Sequence, residues 1–179
     1  ISTFSSSGYL TSIRNPASPD RDVTLTYSTG NLLLSMTDAQ GRTLLFTYER
    51  NLLTGITLPD GHSIAYGHDA RENLVSVNYG GGQVKQYHYG ETGLSNDGDP
   101  DLLTGITDED GRRYASFGYD IYGRVLLSTL FGSSAQPVET TRIYYSATNS
   151  AQVTTASGLL RTATFTSDAF RQPSSISDA

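Results

Sequence analysis

Four oxygen-bearing side chains crowd one short segment, where Asn96, Asp97, Asp99 and Asp101 alternate around Gly98 in the run NDGDPD. A flexible loop that offers hard oxygens at alternate positions is what calcium coordination needs, so Asp97, Asp99 and Asp101 are the metal candidates and calcium is the ion that suits them. The segment lacks a glutamate at the spacing that would supply a bidentate ligand, and NDGDPD is equally the composition of a solvated loop insertion. The solvated loop is the stronger reading. No other cofactor is suggested.

Three histidines, His62, His68 and His88, offer acid–base chemistry near neutral pH. His68 stands where other copies of a repeat carry tyrosine, and His62 follows a turn glycine in the place taken elsewhere by Arg42 and Arg112. Serine is so abundant that Ser, His and Asp fall into chance sets, and no spacing orders a triad. The residues therefore predict no catalysis. Cysteine is absent, which removes disulfides, thiol nucleophiles and thiolate zinc sites but leaves the compartment open. The 12 tyrosines could stack on sugar rings or pack edge to face within a sheet. Their fixed place in the repeat favours packing, while Arg42, Arg112 and Arg124 in the turns are free for ligands.

What positions these residues is a period near 20 residues, written most cleanly between Tyr27 and His68. In each copy a Leu and a second apolar residue three places on lead into a turn ending in Gly. The return strand then carries apolar residues at alternate positions and closes on an aromatic. Period two means one buried face. The copies span 10–27, 33–48, 53–68, 74–89, 103–119, 127–145 and 153–167, and an eighth opens at 173–179. Copy six is looser, with Leu127 and Leu130 as its apolar pair, and Lys85 breaks the apolar pattern of copy four. The insertion 90–101 lengthens one step, since Tyr48 to His68 is 20 residues, His68 to Tyr89 is 21 and Tyr89 to Tyr119 is 30.

Two columns follow from the register. The closing aromatics are Tyr27, Tyr48, His68, Tyr89, Tyr119 and Tyr145, and a second column runs through Leu25, Phe46, Tyr66, Tyr87, Phe117, Ile143 and Phe165. The predicted fold is all-β, with repeated antiparallel hairpins forming a continuous twisted sheet. Only 36% of residues are hydrophobic, beside 18 glycines, which is poor material for a helical globule. A net charge of −6 and a pI of about 4.9 argue against nucleic acid or an anionic membrane as partner, and no run of about 18 apolar residues marks a membrane span. The last copy stops without a polar cap, which predicts a fragment of a longer protein. Unpaired strand edges would also favour self-association.

The turns YSTGNL and DAQGR (Tyr27 to Arg42), LPDGH (Leu58 to His62), DARENL (Asp69 to Leu74), DEDGRR (Asp108 to Arg113) and YDIYGRV (Tyr119 to Val125) resemble the YD repeats of Rhs proteins. The resemblance runs from about Gly8 to Ala179. Most copies lack the Asp after the Tyr, and 96–101 is not part of the unit. The resemblance implies a strip of β-sheet that spirals into a hollow shell, as in bacterial Rhs toxins, the C components of Tc toxins and teneurins, around a cargo that is often a C-terminal toxin. It also implies an exported protein, secreted or at the cell surface, whose partners are the rest of its own polypeptide and the enclosed cargo. The expected role is thus non-catalytic, a wall segment of a container. The rival reading is a repeat module that binds glycan or a cell-surface protein.

Overall fold

The computed structural model describes residues 1–95, 98–146, 150–155, 158, 160–165 and 173–178. The chain divides into two compact units, Ile1–Val84 and Lys85–Ala179. The first contains β1 (Ser2–Phe4), β2 (Leu10–Ile13), β3 (Val23–Tyr27), β4 (Leu33–Asp38), β5 (Thr43–Glu49), β6 (Leu52–Thr57), β7 (Ser63–His68) and β8 (Leu74–Asn78). The second contains β9 (Val84–Tyr89, its first residue excepted), β10 (Leu103–Thr107), β11 (Arg113–Tyr119), β12 (Val125–Phe131), β13 (Pro137–Tyr145), β14 (Ser150–Thr155), β15 (Leu160–Phe165) and β16 (Pro173–Asp178). Within each unit every strand pairs antiparallel with the strand before and after it in the chain. Helix in the first unit amounts to one 3-10 turn, Pro19–Arg21, in the long connection of the first copy. Among the described residues no helix is long and apolar enough to cross a membrane.

The spacing of three between the two apolar residues that open each copy has a structural cause. Residues three apart on a regular strand point to opposite faces, so both can meet the same face only if the strand carries an extra residue. That bulge is present. Tyr27 faces Leu33 while Leu25 faces Met36, with the register shifting between Thr26 and Tyr27. Tyr48 and Phe46 face Leu53 and Ile56 in the same way, and His68 and Tyr66 face Leu74 and Val77. In the second unit Tyr89 and Tyr87 face Leu103 and Ile106.

Copy six departs from the expected register. Val125 stands opposite Tyr119 and Ser128 opposite Phe117, so the opening pair lies two residues before Leu127 and Leu130. The bulge between Gly118 and Tyr119 sets this register, and Leu127 falls on the other face against Gly118 and Arg142.

The opposite face is built from hydroxyls. Thr26 and Ser35 lie 2.6 Å apart, Thr37 and Thr43 2.9 Å, and Thr57 and Ser63 3.3 Å, each pair across neighbouring strands. Such pairs bond on the face that alternation leaves polar. The apolar columns are half-buried. Among the described residues the fully buried apolar side chains are Val77, Ala115 and Ala151, and the largest side chain with no exposure is Thr104. The apolar side of each sheet is therefore held by cross-strand contact more than by a deep core.

Candidate functional site

The repeat motif is itself the most elaborate constellation in the chain, and YDIYGR shows what each residue does. The Tyr119 hydroxyl donates to the carbonyl of Leu103, the residue that opens the same copy, at 2.7 Å. Burial pushes the Tyr119 phenol above its usual range. Asp120 accepts the amides of Tyr122 and Arg124 on Oδ1, each at 2.9 Å, and the Arg124 guanidinium on Oδ2 at 2.7 Å. Gly123 closes the turn on Asp120 with φ of 72°, a conformation that suits glycine. Arg124 then lies over the Tyr145 ring, 4.3 Å from its centroid, the aromatic that closes the next copy. One hexapeptide thus ties a copy to its own start and to its successor.

Variant copies keep the bonding and change the residues. In DARENL, Asp69 accepts the amides of Arg71 and Asn73 on Oδ1, and the Asn73 side chain replaces the arginine on Oδ2. In YSTGNL the hydroxyl of Ser28 accepts the Leu32 amide at 3.1 Å in place of a carboxylate. The Tyr27 hydroxyl donates to Leu10 at 3.0 Å, repeating the bond of Tyr119 to Leu103, and its ring packs 5.4 Å from that of Tyr9. On the other edge Asp38 and Asp108 cap their turns through the amides of Arg42 and Arg112.

The candidate acid–base residues are absorbed by this scaffold. His68 sits half-buried opposite Leu74, in the tyrosine place. His62 is exposed and pairs with Asp60 at 3.1 Å within its turn. His88 shares a hydrogen bond of 2.7 Å with the Thr107 hydroxyl. Lys85, which interrupts the apolar column, reaches Glu109 of the next turn at 3.1 Å.

The column residues Tyr48, Phe46, Leu25 and Tyr66 of the first unit, and Tyr89, Tyr87, Phe117, Tyr145 and Ile143 of the second, are all half-buried on paired strands. The backbone of Phe165 pairs with Pro173, and its side chain lies outside the described residues. Of the metal candidates, Asp97 lies outside the described residues, and Asp99 uses its Oδ1 to accept the Asp101 amide at 3.1 Å. Among the described residues no three His, Asp or Glu groups converge on one point.

A polar cluster that sequence reasoning missed anchors the insertion. Glu91 accepts Arg113 Nη1 at 3.0 Å and Nη2 at 2.6 Å, and the Thr104 hydroxyl at 2.8 Å. Arg113 also donates to Ser116 Oγ and to the Thr104 carbonyl. Its guanidinium lies across Gly105, where a Cβ would collide with it. The fork from Arg113, helped by the Thr104 hydroxyl, holds the Glu91 carboxyl below the usual glutamate range against the opposing effect of burial. The available signal was the hexapeptide LLTGIT, which occurs at 52–57 and again at 102–107, with an Arg six residues beyond the second copy that the first lacks.

With this geometry in view, sequence comparison is decisive for part of the chain. The RHS repeat profile matches residues 27–61 and, overlapping them, 48–84. Residues 27–84 carry RHS repeats. No curated protein matches the sequence. Among solved structures, the chain resembles a chain of the Tc holotoxin pore of Photorhabdus luminescens bearing a TccC3 mutation, with a TM-score of 0.59, 17% identity and 99% of this chain covered. It resembles the TcdB2-TccC3 complex at a TM-score of 0.58 and 17% identity, and that complex without its hypervariable C-terminal region at 0.59 and 16%, with 99% covered in both. At these identities the likeness shows the fold. The chain spans 11% of the length of each of those chains.

Proposed function

We propose that this chain is a non-catalytic wall segment of a β-shell, and that the shell encloses a toxin or other cargo belonging to the same exported polypeptide. One observation carries the reading. Nearly the whole chain superposes on about a ninth of a Tc toxin chain, so its strands match a short stretch of a much longer polypeptide. The repeat chemistry supports it, because the Tyr119–Arg124 turn bonds back to Leu103 and reaches forward to the Tyr145 ring, so that it ties successive copies of the sheet together. Half-buried columns suit such a wall, since curvature and neighbouring turns of a strip would cover what an isolated fragment leaves open.

The test uses the whole polypeptide that contains these residues. Limited proteolysis of the intact protein is expected to spare the cargo segment, and deletion of a whole number of these repeats is expected to expose it to cleavage. Equal digestion of the cargo with and without the repeats would overturn the proposal.

A further inference from the structure

The insertion between β9 and β10 is not a loose loop at its start. Residues 91–95 fold into a compact strap, with the Leu94 and Ser95 amides both donating to the Glu91 carbonyl at 3.1 Å. The strap reaches β11 at two points. Its Leu94 carbonyl accepts the Tyr119 amide at 2.7 Å, the amide that the bulge beside Gly118 displaces from the ladder. Its Glu91 carboxylate accepts the fork of Arg113 and the hydroxyl of the fully buried Thr104. Leu94 thereby lies beside Gly118, Leu126 and Leu127, apolar surface of β11 and β12 that the strap borders.

We propose that the strap is an acid-released clasp: protonation of Glu91 breaks its charge-assisted bonds to Arg113 and frees residues 91–95 from the β11–β12 face. The geometry makes the carboxylate the controlling group. Arg113 gives Glu91 two of its donors and the Thr104 hydroxyl a third, all to the carboxylate, and the remaining links, Tyr119 amide to Leu94 carbonyl and Glu91 amide to Thr104 Oγ1 at 3.3 Å, are neutral bonds. Charge-assisted bonds are roughly twice as strong as neutral ones. The charged and titratable groups facing Glu91 are Arg113 from β11 and His88 from β9, while β10 contributes only the Thr104 hydroxyl. Both ionisable neighbours favour the carboxylate when cationic, and none favours its neutral form.

The sign follows from the direction of the shift. Glu91 is held below its ordinary value of 4.5 in the folded protein. The clasp is fully closed above that value and is lost as pH falls below it through the lowered folded value. This inference stands apart from the shell reading, since it needs only the second unit.

Hydrogen exchange of the Tyr119 amide, corrected for the intrinsic pH dependence of exchange, reports the clasp directly. Protection is expected to fall about tenfold on acidification from pH 6 to below pH 4, the factor that one charge-assisted bond supports. Glu91→Gln is expected to show that lower protection at pH 6 already and to change no further with acid. The Ser128 amide, within the β11–β12 hairpin, should stay protected in both proteins, which separates strap release from unfolding. Equal protection of Tyr119 at both pH values, or a Glu91→Gln protein that behaves like wild type, would overturn the proposal.

Discussion

The tyrosine of the repeat does two things at once, and its hydroxyl separates them. The Tyr119 ring lies in the half-buried column, while its hydroxyl closes the copy on Leu103. Tyr119→Phe keeps the ring and leaves the Leu103 carbonyl without that donor, so it is expected to cost about 1 kcal/mol by chemical denaturation. Tyr48→Ser removes ring and contact together, and about 2 kcal/mol is expected because the residue is half-buried. Glu72 makes the opposite case. It holds φ of 72° in the turn position where Gly123 stands in YDIYGR. Left-handed backbone costs an ordinary L-residue about 1 kcal/mol, so Glu72→Gly is expected to raise the melting temperature by a few degrees. An unchanged or lower value would show that Glu72 makes contacts worth more than the strain. These roles were partly legible in the sequence. The register turned His68 from a base into a substituted tyrosine, whereas the bonds of Asp120 and Arg124 depend on side-chain geometry that spacing alone does not specify.

At the scale of strands and turns, alternation revealed the hairpins and glycine revealed their turns, because period two and positive φ are local demands. The bulge was present in the sequence as a spacing of three, yet its consequence needed the partner strand. Copy six shows why: Leu127 and Leu130 keep the spacing of three, but Val125 and Ser128 are the residues that meet Tyr119 and Phe117. Hydrophobicity alone favours the leucines, and the register overrides it. The insertion was legible as a break in the period and illegible as a folded element, since Glu91 and Arg113 are 22 residues apart. Gly105→Ala tests that element from its far side. The new methyl group must displace the Arg113 guanidinium, so a loss of about 1 to 3 kcal/mol is expected, together with the weakened Tyr119 amide protection of the Glu91→Gln protein. A protein of unaltered stability and protection would show that Arg113 is not needed to hold the strap.

On the scale of the whole molecule, neither unit shows a deep core among its described residues, and the half-buried columns are held by cross-strand contact. Strand follows strand in chain order within each unit, so almost all contacts are between sequence neighbours, as in repeat proteins whose stability is a sum over units and interfaces. The isolated chain is accordingly expected to associate through its strand edges as concentration rises, which sedimentation velocity would detect. The central claim is that these residues are wall. Cryo-electron microscopy of the full polypeptide tests it most directly. The account predicts that strands β3 to β8 appear as consecutive strands in the wall of a closed shell with density inside. A free-standing domain outside any shell, or a shell whose wall omits these strands, would contradict it.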